Sequence, residues 1–181
     1  MHTSEPITLK RDVIGTLIPA GTPVELPEGA DATITQALGG SFTIVTQGHM
    51  FRIEGKDADA LGKDIVKGPE VAADASDAEL EKAVWDQLHT CFDPEIPIDI
   101  VELGLVYESK LEPLADGKRK AVIRMTLTAP GCGMGDVLVG DVKSKVLQIP
   151  TIVEADVQLT FDPPWTKDMM SEAAKLQTGM F

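Results

Sequence analysis

Cysteine is scarce in this chain: Cys91 and Cys132 are the only two in 181 residues, and histidine is limited to His2, His49 and His89. Two cysteines cannot complete a four-cysteine zinc site within one chain, and the histidines sit at no zinc-ligand spacing. Basic residues are outnumbered, with 16 Lys and Arg against 29 Asp and Glu, for a formal net charge of −13. That balance argues against nucleic acid or an anionic membrane as the main partner, because both demand clustered cations. Cationic protein surfaces and metal cations remain sensible partners, while solubility alone is an equally complete account of the acidity. No apolar run approaches the length of a membrane span, and Met1–Pro6 lacks the basic segment and apolar run of a secretory leader. The expectation is a cytoplasmic chain with free thiols. A phosphate-loop Gly-Lys-Ser/Thr is missing as well. Gly131, Gly133 and Gly135 place Asp136 where a dinucleotide loop has its last glycine, and that charge repels pyrophosphate.

What is present is enough apolar residue, 43%, to bury a core. From Ile7 to Leu61 the pattern is short strands with glycine turns. Ile7, Leu9, Arg11 and Val13 form one alternating run, Ala32, Ile34 and Leu38 another, and Phe42, Ile44, Phe51 and Ile53 a closing hairpin. Turns at Pro19-Ala20-Gly21, Pro27-Glu28-Gly29, Gly39-Gly40 and Gln47-Gly48 separate them. The expected first domain, residues 1–62, is a small all-β unit of the SH3-like barrel type. Asp57, Asp59 and Asp64 read as a solvated surface. Residues 63–75, with Gly68-Pro69 and three alanines, read as a linker.

Residues 76–181 read as an α+β domain, a two-layer helix and sheet arrangement in the order α-β-β-α-β-α. Ser76 and Glu79 fit a capping box, and Leu80, Val84, Leu88 and Cys91 then share one helical face. Cys91 on that stripe belongs to the core. Pro94 disfavours a helical Asp93, so the helix is expected to stop there. Asp99 to Tyr107 leads into a strand in which Gly104 marks a bulge or a close backbone approach. A hairpin turn at Asp116-Gly117-Lys118 follows. Val153, Ala155, Val157, Leu159 and Phe161 alternate as a later strand. Asp162-Pro163-Pro164-Trp165 turns the chain, and Thr166 is expected to cap a last helix ended by Gly179.

The most informative stretch joins strand to helix. Ala121, Ile123, Met125 and Leu127 alternate into a Pro130-Gly131-Cys132-Gly133 turn, and Leu138, Val142 and Val146 then recur at helical spacing. Cys132 therefore falls at or just before a helix N-terminus, where free N–H groups and the helix dipole favour a thiolate. It is either a reactive or metal-binding atom or a small apolar residue packed under a turn. Asp93 and Glu95 are either an acid–base pair or caps for backbone groups beside a proline. Trp165 is either an interaction anchor or packing against the sheet.

Three motifs in this half carry a resemblance: Asp93-Pro94-Glu95-Ile96 with Asp99–Tyr107, Leu127-Thr128-Ala129-Pro130-Gly131-Cys132, and Phe161-Asp162-Pro163-Pro164-Trp165-Thr166. Together they resemble the metal–sulfur cluster biosynthetic domain family, which includes the phenylacetate-pathway protein PaaD and a eukaryotic cytosolic iron–sulfur assembly factor. Gly55–Gly62 resembles the extra N-terminal domain carried by one member of that family. The resemblance implies an accessory or target-side role in maturing iron–sulfur proteins rather than an enzyme, with assembly proteins and client apoproteins as partners. It places the family's cysteine on Cys132 and its acids on Asp93 and Glu95. Gly133 departs from the proline the family usually has there, which loosens the turn. On this reading Cys132 transiently ligates iron or a cluster, with no permanently bound cofactor, or contacts a client or carrier protein. Since a cluster commonly takes four protein ligands, one thiolate needs a second copy in a homodimer, a client cysteine or a small thiol. The alternative is a metal-free adaptor between the assembly machinery and its clients. A thiol-dependent hydrolase has little behind it, as no histidine lies near Cys132 in sequence.

Overall fold

The computed structural model describes residues 4–93, 96–131 and 133–180. They divide into two compact units, Met1–Lys67 and Gly68–Phe181. The fold is mixed α+β, with a large sheet in the first unit and a smaller sheet with helices in the second. Among the described residues no helix is long and apolar enough to cross a membrane.

The first unit contains β1 (Glu5–Thr8), β2 (Val13–Ile18), β3 (Pro23–Leu26), β4 (Asp31–Leu38), β5 (Ser41–Thr46) and β6 (His49–Glu54). They form one antiparallel six-stranded sheet in the order β1-β4-β5-β6-β2-β3. Alternation buries Ile34, Ile44, Phe51 and Ile53 around Leu9, Val13 and Leu61. The alternating run expected from Ile7 to Val13 is broken into two strands. Between them the backbone leaves the sheet, with Leu9 N–H bonded to Ala30 O at 2.9 Å and Lys10 N–H to Ala60 O at 2.8 Å. Arg11 is turned to two of the acids expected to be merely solvated. Its Nε reaches Asp59 Oδ2 at 2.8 Å and its Nη2 reaches Asp57 Oδ1 at 2.9 Å. This guanidinium holds the Asp59 carboxyl below its ordinary range.

The second unit contains α1 (Asp77–Leu88), β7 (Val106–Pro113), β8 (Arg119–Met125), α2 (Gly135–Val146), β9 (Ile152–Leu159) and α3 (Glu172–Thr178). Its sheet runs β7-β8-β9, antiparallel then parallel. A parallel pair needs a crossover, and α2 supplies it between β8 and β9. Leu80, Val84 and Leu88 of α1, Leu138, Val142 and Val146 of α2, and Ala121, Ile123 and Met125 of β8 build one core. Val71 and Ala75, from the stretch preceding α1, pack against the same core.

Two helix boundaries differ from expectation. The first helix stops at Leu88, short of Asp93; Thr90 Oγ1 takes up the terminal carbonyl of Gln87 at 2.6 Å, and Lys145 Nζ donates to Thr90 O just beyond the helix. Thr166 heads only the short turn Lys167–Met169. Met170 is extended, at ψ 147°, and Ser171 caps α3 by accepting from Ala174 N–H at 3.1 Å.

The start of α1 matches its sequence signature. Glu79 N–H donates to Ser76 Oγ at 3.3 Å, and Ser76 N–H donates to Glu79 Oε2 at 2.7 Å. Donation from the Ser76 backbone, and then from its hydroxyl, lowers the Glu79 carboxyl below its ordinary 4.5. A depressed folded-state value stabilises the fold above the unfolded value, and the gain is lost as pH falls through the folded one. Urea unfolding of wild type and Glu79→Gln should therefore show wild type more stable at neutral pH. The difference should vanish in strong acid, where both side chains are uncharged.

Candidate functional site

The segment between α1 and β7 is not the strand expected from Asp99 onward. Residues 99–104 coil into a tight turn closed by Leu103 N–H to Asp99 O at 3.0 Å and Leu105 N–H to Ile100 O at 2.9 Å. Asp99 starts it as a cap: its Oδ1 accepts from Val101 N–H and Glu102 N–H, each at 3.0 Å, and lies 3.1 Å from His89 Nδ1. Gly104 sits at φ 72°, and a Cβ there would stand 2.2 Å from Met169 O. The expected close backbone approach is present, made by the C-terminal segment.

Three neighbouring carbonyls of this turn each receive a different part of the chain. Glu102 O accepts Ser171 N–H at 2.8 Å and Leu105 O accepts Thr126 N–H at 2.8 Å. Leu103 O accepts the Trp165 indole N–H at 2.7 Å. Ser171 Oγ also bonds Glu102 Oε2, and Tyr107 Oη donates to Pro163 O at 2.7 Å. The turn thus gathers the end of β8, which leads to Cys132, and the Pro163-Pro164-Trp165 corner. Trp165 is half-buried and packs against the core. Its N–H has a partner and its ring bears on the protein itself.

Cys132, Pro94 and Glu95 lie outside the described residues. Their neighbours define the setting. Asp93 is 5% exposed, and its Oδ1 accepts Ile96 N–H at 3.0 Å. Gly131 is exposed at φ 78°, with nothing within 4 Å of where a Cβ would lie. Gly133 is exposed too. The helix after them begins with Met134 at the N-cap position, whose side chain caps none of the first N–H groups. Its dipole is complemented by Asp136 in the first turn and by Lys143 and Lys145 in the last. Gly135 is buried, and a Cβ there would stand 2.9 Å from Leu127 Cδ1, so the glycine lets the helix start press onto the strand end.

Thr126, fully buried at the end of β8, has a side-chain oxygen with no hydrogen-bond partner among the described residues. Cys91 is fully buried on the α1 side of the core, where its thiol donates to Gln87 O at 3.5 Å. Among the described residues no three His, Cys, Asp or Glu side chains gather at metal-binding distances. Sequence reading missed Glu102, Ser171 and the His89–Asp99 pair, all of which hold the turn. The local signal for Ser171 was a serine ahead of the helix-forming Glu172-Ala173-Ala174, and for Asp99 an acid followed by two residues able to donate to it.

The two positive-φ glycines separate structure from access. Gly104→Ala should cost about 3 kcal/mol, because a left-handed alanine and a backbone clash act together. Gly131→Ala, strained but unobstructed, should cost about 1 kcal/mol. Urea unfolding monitored by circular dichroism measures both.

Residues 81–159 match the family described as iron–sulfur cluster assembly protein. An Fe-S protein maturation auxiliary factor of Porphyromonas gingivalis is 41% identical over 101 residues, covering 56% of this chain and 92% of that protein. The Fe-S protein maturation auxiliary factor SufT of Staphylococcus aureus is 44% identical over 88 residues, covering 49% of this chain and 96% of the relative. A crystal structure of a domain of unknown function from Bacillus anthracis is 39% identical with a TM-score of 0.50, over 58% of this chain and 96% of that one.

Proposed function

The chain belongs to the iron–sulfur cluster assembly protein family, and from that premise we propose that it is an accessory factor in iron–sulfur protein maturation that works through the Cys132 thiolate. One observation carries the assignment of the atom. In sequence Cys132 stands between two exposed glycines, three residues ahead of the first residue of a 12-residue helix whose N-cap residue, Met134, makes no side-chain cap. Such a position favours the thiolate, the form that binds soft metals and attacks sulfur.

Iron or a cluster is then cargo and not a resident cofactor. One thiolate supplies one of the roughly four protein ligands a cluster takes. The remainder come from a second copy, a client cysteine or a small thiol, and the glycines leave room for them. Asp93 fits a bracing role, since Oδ1 is engaged by Ile96 N–H, and Glu95 stands beside it in sequence as an oxygen donor. The factor meets assembly proteins and client apoproteins in the cytoplasm and turns over no substrate of its own. The division into a 1–62 SH3-like barrel, a 63–75 linker and a 76–181 two-layer α+β domain belongs to the same reading. It is supported by six short antiparallel strands around their own core.

A second reading, the metal-free adaptor, draws on the separate core of the first unit, which gives a partner its own surface. Anaerobic reconstitution with ferrous iron and sulfide distinguishes the two. Wild type should develop a cluster absorption band that Cys132→Ser lacks, and native mass should give two chains per cluster or one chain with a small thiol. Should wild type stay colourless and bind no iron, the carrier reading falls and the adaptor takes its place.

A further inference from the structure

The sheet of the second unit is open at β9. Its inner edge pairs with β8 in parallel register, Ala121 against Ala155 and Met125 against Leu159, and among the described residues no strand pairs with its outer edge. Eight residues, Ile152–Leu159, make up this edge. A free edge presents backbone N–H and C=O groups to any extended chain that reaches it.

The face turned away from the core is charged. Glu108 stands opposite Arg124, Glu112 opposite Lys120, and Lys120 in turn beside Glu154. On this face β8 carries Lys120 and Arg124 and β9 carries Glu154 and Asp156, while β7 is mixed, with Lys110 between Glu108 and Glu112. Opposite charges across a strand pair are favourable and like charges are not. In two registers a second copy of β9 brings like charges together. Twofold antiparallel pairing centred on Ala155 sets Glu154 against Asp156, and centring on Asp156 sets that carboxylate against its own copy. At the far end of the strand Leu159 and Phe161 are 38% and 44% exposed. A Cβ on Gly135, the first residue of α2, would lie 3.6 Å from Leu159 Cδ1, so this apolar end borders the helix start that follows Cys132.

We propose that β9 is a docking edge for an extended segment of a partner protein that carries Lys or Arg at alternate positions. The segment adds as a fourth strand, its cations opposite Glu154 and Asp156, its backbone bonded to the outer edge of β9. The inference goes beyond the Cys132 reading and holds whether or not the thiol takes iron.

The probe is a fluorescent eight-residue peptide of alternating Lys and Val, matched to the length of β9, titrated into the full chain and followed by anisotropy. Wild type should bind it saturably. Glu154→Lys with Asp156→Lys should weaken binding by about tenfold or more, because two attractive cross-strand pairs become repulsive. The same variant should gain affinity for an alternating Glu and Val peptide. Both changed residues are on the surface of the sheet, and an unchanged far-ultraviolet circular dichroism spectrum verifies the fold, while the loss of the Lys120–Glu154 pairing lowers the melting temperature. A Lys and Val peptide N-methylated at every residue keeps its charge but loses the backbone donors of both its edges, and it should not bind wild type. Equal binding of the methylated peptide would reduce the effect to attraction by a chain of net charge −13 and overturn the proposal. So would a wild-type dimer whose β9 amides are protected from hydrogen exchange, which would assign the edge to a second copy.

Discussion

Three carbonyl oxygens in one short turn, those of Glu102, Leu103 and Leu105, hold the second unit's motif segments together. A buried carbonyl without a donor is costly, so each fixes a partner: the Ser171 backbone, the Trp165 indole and the Thr126 backbone. The turn can offer them only because Gly104 takes a left-handed conformation and lets Met169 O come close. Replace any of the three donors and a half-buried oxygen is left facing apolar neighbours. The motifs at 99–107, 126–132 and 161–166 therefore act as a single structural unit, though far apart in sequence.

A second set of interactions fixes α2. The Gln87 amide donates to Lys145 O at 2.7 Å, and Lys145 Nζ returns across the helix pair to Thr90 O. Lys145 also lies 3.6 Å from Asp141, both side chains nearly out of solvent. Buried ion pairs contribute little net stability, because desolvation offsets their attraction. The Asp141–Lys145 pair lies within α2; the α1 end and α2 are tied instead by the Gln87 and Lys145 hydrogen bonds, which sliding one helix along the other would break. Gly135 against Leu127 sets the other end. The start of α2 is therefore held from both sides, and the exposed glycine turn ahead of it is the part left accessible.

Much of the fold was legible because its causes are local. The Ser76–Glu79 box closes over four residues and forms as read. Strand alternation placed Ile44, Ile53, Ile123 and Met125 inside, and helical spacing placed Leu80, Val84, Cys91 and Val142 there as well. Misread features had distant partners. The sequence around Asp99 looks like strand because Ile100, Val101 and Val106 favour one, and only the Asp99 carboxylate accepting two successive N–H groups turns it into a coil. Arg11 reads as one member of an alternating run with Ile7, Leu9 and Val13, yet its side-chain partners are 46 and 48 residues away.

For the candidate site the division is similar. Residue chemistry alone determined that one cysteine stands in sequence between glycines, after a strand pattern and before a helix pattern, that the other lies on an apolar stripe, and that the chain carries a net charge of −13. These follow from spacing and composition, which need no knowledge of what lies across the fold. Tertiary structure alone decided that Trp165 is tied to Leu103, that Ser171 and not Thr166 caps the last helix, and that β9 is an open edge bearing Glu154 and Asp156. Each depends on which segments meet, and meeting is set by the burial of a shared core and by carbonyls that must find donors, quantities that no single stretch of sequence contains.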